Sequence, residues 1–107
     1  LEALRNFARY AGDGFTIEHP TGSGQEKTLQ EVHDDLANRL VSIFLQRGDG
    51  TRPVFGGVDR FQNDPAWHGH IPFHEYFHGD DGAGLGAPHQ TGWTGLVANL
   101  ITERRWR

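Results

Sequence analysis

Between Asp59 and Gln90 the chain holds no sustained period of either helix or strand, and this constrains its fold more than any other feature. Aromatics, histidines and glycines crowd this stretch, and Pro72 and Pro88 interrupt it. An irregular run of that length in a compact chain is more often functional than merely connecting. It also leaves little sequence from which to build a core. The chain has 107 residues, of which 36% are hydrophobic, and its 15 glycines cluster in the second half. A chain this small buries a modest fraction of its surface and is marginal alone.

Regular elements are expected on either side. Leu1, Leu4, Phe7, Ala8 and Ala11 fall at helical spacing, and Gly12 and Gly14 end that helix. Phe15 to His19 alternates enough for a brief strand, and Pro20 to Gly24 reads as a loop. A stronger helix, expected over 29–46, opens at Thr28-Leu29-Gln30-Glu31. This is a capping box, in which Thr28 accepts from the Glu31 amide and Glu31 reaches back. Leu29, Val32, Leu36, Leu40, Ile43 and Phe44 make its apolar stripe, and Arg47-Gly48-Asp49-Gly50 stops it. Residues 52–57 give at best a short extended piece, since Pro53 cannot donate to a ladder. Trp93, Leu96, Val97, Leu100 and Ile101 repeat at helical spacing, so a last helix is expected over 92–103 with Thr91 as its N-cap.

Composition removes several function classes. There is no cysteine, which excludes disulfides and thiolate metal sites. The net charge of -4 argues against a nucleic-acid footprint, and Arg104, Arg105 and Arg107 read as a solvated basic tail. No apolar run approaches the roughly 20 residues of a membrane span. The default reading is a soluble, cytoplasmic chain with no cofactor and no metal. It begins at Leu1 and contains no methionine, so a fragment of a longer polypeptide is expected, with apolar helix surface left uncovered.

Two motifs compete for the irregular stretch. His74-Glu75-Tyr76-Phe77-His78 matches the H-E-x-x-H zinc-protease pattern, which needs both histidines on one face of a continuous helix. Pro72 before it and Gly79 after it leave room for little more than one turn, and Asp81 stands where the extended form of the motif requires glycine. Gly82-Ala83-Gly84-Leu85-Gly86-Ala87 fits G-x-G-x-x-G/A, but a dinucleotide site needs a helix directly after it, and Pro88 blocks one. A glycine-rich turn is the better reading: such residues accept positive φ and let another group approach the backbone closely.

The block from Phe73 to Ala98 is more specific. Its Glu75-Tyr76-Phe77, then Gly82, Gly84, Gly86, Gln90 and Gly92-Trp93-Thr94, follow the form E-Y-(aromatic)-x-x-x-x-G-x-G-x-G-x-x-x-Q-x-G-W-(S/T). This resembles the end of the catalytic domain in glycoside hydrolase family 63, in the branch related to mannosylglycerate hydrolases. The Gly14 to Gly24 stretch and the 29–45 helix also look like this branch. Trehalases of another family share a related ending.

The resemblance implies a mainly α fold: residues 1–107 would be the C-terminal part of an (α/α)6 six-hairpin toroid carrying a long irregular loop. It implies an inverting α-glycosidase in which Glu75 is the general base, acting on carbohydrate. The general acid would be an Asp with no match in this chain. The two carboxyls of such a pair stand roughly 6.5–9.5 Å apart, which leaves room for the attacking water. Trp93 is a candidate to face a sugar ring, Gln90 and His89 to bond its hydroxyls, and Tyr76 to line the site. Plainer readings stand beside these: Trp93 as core, His89 and Gln90 as helix-start partners, Tyr76 as wall. Asp80 reads as turn chemistry with a bond to the glycine loop. No role is assigned to Glu18, His68 or His70. The competing functions are the zinc protease through His74, Glu75 and His78, and a small carbohydrate-binding module using exposed Trp67, Trp93 or Trp106.

Overall fold

The computed structural model describes residues 1–89 and 92–105. The chain divides into two compact units, Leu1–Arg39 and Leu40–Arg107.

The first unit opens with helix α1, Glu2–Ala11. Gly12 ends it with φ 68, and its amide donates to Ala8 O at 3.0 Å. No residue of α1 is buried: Phe7 is 64% exposed and Tyr10 91%. The expected brief strand is β1, Thr16–Glu18, paired antiparallel with β2, Glu26–Thr28, in the register Ile17 to Lys27. Between them the Glu18 carboxylate accepts the Gly22 amide and closes the loop, a use the sequence did not suggest for Glu18.

Helix α2, Leu29–Ser42, begins in the expected capping box. The Glu31 amide donates to Thr28 Oγ1 at 3.2 Å, and the Thr28 amide donates to Glu31 Oε2 at 2.8 Å. Leu29 and Val32 are buried as the stripe predicts, but Val41 takes the place expected for Leu40, which is 43% exposed. The helix ends four residues short of the expected 46. The carbonyls of Ile43 and Phe44 are taken by partners from further along the chain: Val54 N at 2.9 Å and Arg52 Nη1 at 2.7 Å. Carbonyls satisfied from outside have no need of a further helical turn.

The second unit is built on those bonds. Pro53–Phe55 is a 3₁₀ turn rather than an extended piece, with proline at its first position, and it is the most deeply buried segment. Val54 and Phe55 join Val41, Phe44 and Val97 in the core, with Phe73 and Phe77 packed against Phe44 at centroid distances of 5.9 and 5.5 Å. Gln62, on the short helix α3 (Asp59–Asn63), holds this turn in place. Its Oε1 accepts Arg52 N, and its Nε2 donates to Arg52 O and Gly56 O, each at 3.0 Å. Further on, β3, Tyr76–Phe77, pairs antiparallel with β4, Gly84–Leu85. The last helical stretch is a 3₁₀ turn, Thr94–Leu96, running into α4, Val97–Arg105. Val97 is buried, but Trp93 and Leu96 are each 59% exposed, so only part of that apolar stripe meets the core. The expected N-cap Thr91 and the arginine tail's Arg107 lie outside the described residues.

These elements correct the expected fold class. A six-hairpin toroid is made of helix-on-helix pairs. Here the principal pairings are β1 with β2, β3 with β4, β4 with the Pro53–Phe55 turn, and the Thr94–Leu96 turn with α4. Among the described residues, the architecture is a small mixed α/β one with two two-stranded antiparallel sheets. The glycine and aromatic segment produces one of them: its glycines let a strand lie directly against bulky neighbours, where a helix would have had to bridge Pro72 and Gly79. Among the described residues, no helix is long and apolar enough to cross a membrane.

Candidate functional site

Glu75 stands immediately before β3. Its amide donates to Ala87 O at 3.0 Å, while Ala87 N points back to Glu75 Oε2 at 3.5 Å. One residue on, Tyr76 faces Leu85. The glycine strand therefore carries one more residue than its partner across this step, and the extra residue is Gly86, at φ +72. A bulge of this kind bends the strand and re-aims the neighbouring side chain. A β-carbon on Gly86 would lie 2.8 Å from Glu75 Oε2 and 2.7 Å from Tyr76 Cε1. The carboxylate and the tyrosine ring thus use the space that only glycine leaves. Both side chains face solvent, Tyr76 at 53% exposure.

The neighbouring glycines repeat the logic. A β-carbon on Gly84 would overlap the His74 imidazole, and one on Gly82 (φ +78) would press on Pro53 and Ile43. His74 is half-buried there, and its Nδ1 has no hydrogen-bond partner among the described residues. The hairpin tip is closed by His78 N to Ala83 O at 2.8 Å and by Asp81 Oδ1 accepting Ala83 N at 2.9 Å. The expected bond to the glycine loop is made by Asp81, not by Asp80.

This geometry removes the premises of both competing motifs. Residues 74–78 run into strand β3, so His74 and His78 do not lie one turn apart on a helix face as the zinc reading requires. The glycine run forms a turn and strand β4 with no helix directly after it, unlike a dinucleotide-binding loop.

Beside the hairpin, within the second unit, lies an open cleft of about 730 Å³. Its walls include Arg60, Phe61, Trp67, His70, Phe73 and His89. Trp67 is 44% exposed, and its ring is tilted against Phe61 at 5.7 Å, which in turn meets Phe55 at 5.8 Å. The turn that carries Trp67 is held by Asp64, whose carbonyl accepts Trp67 N at 2.9 Å and His68 N at 2.8 Å. Asp64 Oδ1 accepts Ala66 N at 2.9 Å. An isolated bridge joins Phe73 to His89, so the cleft wall continues the chain segments that hold Glu75.

Of the residues singled out in the sequence, Glu75 and Tyr76 meet at Gly86, and His89 lines the cleft. Trp93 is not part of the cleft wall, and its exposure sets aside a place in the core. Gln90 and Trp106 lie outside the described residues. Arg60, Phe61 and His70 were missed as cleft residues; only their nearness to Trp67 in sequence could have flagged them. His68 instead lies against Gln46, with 3.4 Å between Nε2 atoms.

No family model matches the chain, and no solved structure matches it. The uncharacterized protein YMR196W of Saccharomyces cerevisiae is 43% identical over 105 residues, an alignment that covers 96% of this chain and 10% of the yeast protein. The chain thus spans about a tenth of the length of the curated relative it matches.

Proposed function

We propose that this chain supplies the general-base side of an inverting α-glycosidase similar to glycoside hydrolase family 63, with Glu75 as the base. The observation that carries the reading is the placement of Glu75. A solvent-facing carboxylate is set by a strand bulge against Gly86, next to a cleft with aromatic and hydrogen-bonding walls. Bulges recur beside active sites, where they re-aim a side chain. In the reaction, Glu75 takes a proton from water as its oxygen attacks the anomeric carbon. The glycosidic C–O bond breaks, and the leaving oxygen is protonated by a second carboxyl supplied from outside these 107 residues.

The test is steady-state kinetics of Glu75→Gln in the full-length polypeptide, with the anomer of the first product followed by NMR. General-base catalysis contributes on the order of 10² to 10⁴ in rate, so turnover should fall by at least that lower figure while binding survives. Near-normal turnover would remove Glu75 from the site. A first product of retained configuration would refute the inverting mechanism.

A second reading is favoured by one observation: the Trp67 cleft does not include Glu75 among its walls. A carbohydrate-binding module without catalysis would use that cleft alone. Sugar binding by the full-length polypeptide without hydrolysis of any α-glycoside would select it.

A further inference from the structure

The cleft beside the hairpin has a chemistry of its own. Its volume, about 730 Å³, falls in the ordinary range for small-molecule sites. One wall is aromatic and held in place: Trp67 leans on Phe61, Phe61 on Phe55, and Phe55 is 2% exposed. The Asp64 turn fixes the backbone under the indole. Such a surface is preorganised, so little rotamer freedom is lost when a ligand covers it.

Among the described residues, the polar groups of its wall are Arg60, His70 and His89, with no carboxylate. Among the described residues, none of these three side chains makes an ion pair or hydrogen bond within the protein. An aromatic face beside exposed polar side chains that no described protein group engages matches a ligand that is apolar on its faces and rich in hydrogen-bonding oxygens at its edge. A pyranose ring has that form, with C–H bonds on its face and hydroxyls around the rim.

The cleft is also tied to Glu75 through the backbone. Phe73 lies two residues before Glu75, and His89 two residues after Ala87, the partner of Glu75. The cleft wall is thus continuous in the chain with the segments that hold the carboxylate.

We propose that this cleft is a sugar-ring subsite, in which the Trp67 indole stacks on the face of the ring while Arg60, His70 and His89 bond its oxygens. It rests on the reading of Glu75 as a glycosidase base only in that the bound ring belongs to the substrate cut there.

The experiment uses the full-length polypeptide carrying Glu75→Gln, which prevents turnover, and titrates maltose by calorimetry. Saturable binding is expected. Adding Trp67→Ala should weaken it by about tenfold, the loss expected from removing a stacking face, while Trp67→Phe, which keeps a ring, should retain most of the affinity. Arg60→Ala should weaken it about threefold or more, as for the loss of a charge-assisted hydrogen bond. Cyclohexanol, which has the ring's apolar bulk without its oxygens, should fail to displace maltose. Maltose affinity unchanged by Trp67→Ala, no saturable maltose binding at all, or displacement by cyclohexanol would each overturn the subsite. Thermal melts of the variants identify any that fail to fold, in which case the Trp67→Phe and Arg60→Ala arms decide. Hydrolysis that survives Glu75→Gln would refute the base assignment while leaving the Trp67 dependence of binding to stand.

Discussion

The Glu75 carboxylate occupies space that a side chain on Gly86 would fill: a β-carbon there would stand 2.8 Å from Glu75 Oε2. Gly86 also holds φ +72, a conformation that L side chains adopt only under strain. One glycine therefore serves both the backbone bulge and the position of the carboxylate.

Gly86→Ala tests that relationship. The left-handed backbone costs about 1–2 kcal/mol for an L residue, and crowding against Tyr76 and Glu75 adds about 1–3 kcal/mol. Denaturant unfolding should show a loss of about 2 kcal/mol or more. If Glu75 is the base, displacing it also lowers turnover in the full-length polypeptide by about tenfold or more, since misplacement on the ångström scale weakens catalysis steeply. An alanine variant with unchanged stability and turnover would show that the carboxylate does not depend on Gly86.

His74 and Gly84 make a second such pair, because a β-carbon on Gly84 would overlap the imidazole. Gly84→Ala alone should destabilise by about 1–3 kcal/mol, as overpacked sites do. In the His74→Ala background the same change should cost much less. A double-mutant cycle measured by urea unfolding should give a coupling of about 1 kcal/mol or more. Additivity within about 0.5 kcal/mol would mean that the ring moves aside freely.

What was legible in the sequence, and what was not, follows from how local each cause is. The stop of α1 at Gly12 and the start of α2 at the Thr28–Glu31 box depend on residues within one turn, and both stand where the sequence places them. The end of α2 depends on Arg52 and Val54, eight and eleven residues beyond the carbonyls they bind, and it falls at Ser42 rather than at the 46 that the apolar stripe predicts. Strands β3 and β4 are two residues each, too short to show a period of two, so the hairpin that corrects the toroid expectation was invisible to pattern. The glycine run did announce close packing, though not which groups would approach. The cleft was hidden for another reason. Phe61 and Trp67 meet only because Gln62 and Asp64 fix their turns through hydrogen bonds that no spacing rule records.

The capping box offers a quantitative check on the local reading. Thr28 Oγ1 accepts the Glu31 amide at 3.2 Å, and removing that acceptor leaves a helix-end donor to water alone. Thr28→Ala should lower stability by about 1 kcal/mol, and Thr28→Ser, which keeps the hydroxyl, by much less. Chemical denaturation followed by far-ultraviolet circular dichroism reads both. Equal effects of alanine and serine would show that the hydroxyl is not the source of the stabilisation.

The first unit should lose stability in acid through Asp35. Its carboxylate accepts from His19 Nε2 at 2.8 Å and pairs with Arg39 Nη2 at 3.0 Å. The His19 hydrogen bond holds its pKa below the ordinary value of 3.8; the charges of Arg39, Lys27 and His19 act in the same direction, and partial burial opposes them. A carboxyl whose pKa is lower when folded binds protons more readily when unfolded. Its contribution is therefore fully present above the unfolded value near 3.8 and is lost as pH falls through the folded one. The carboxylate is 31% exposed, so solvent and salt screen part of the effect. Thermal melts of the native chain should fall between about pH 4 and pH 2, and Asp35→Asn should remove part of that slope while lowering the melting temperature at pH 6. His19→Ala should flatten the acid limb more than Arg39→Ala, because the His19 hydrogen bond lowers the Asp35 pKa more than the charge of Arg39 does. An Asp35→Asn variant that follows the native acid profile throughout would place the acid sensitivity elsewhere in the chain.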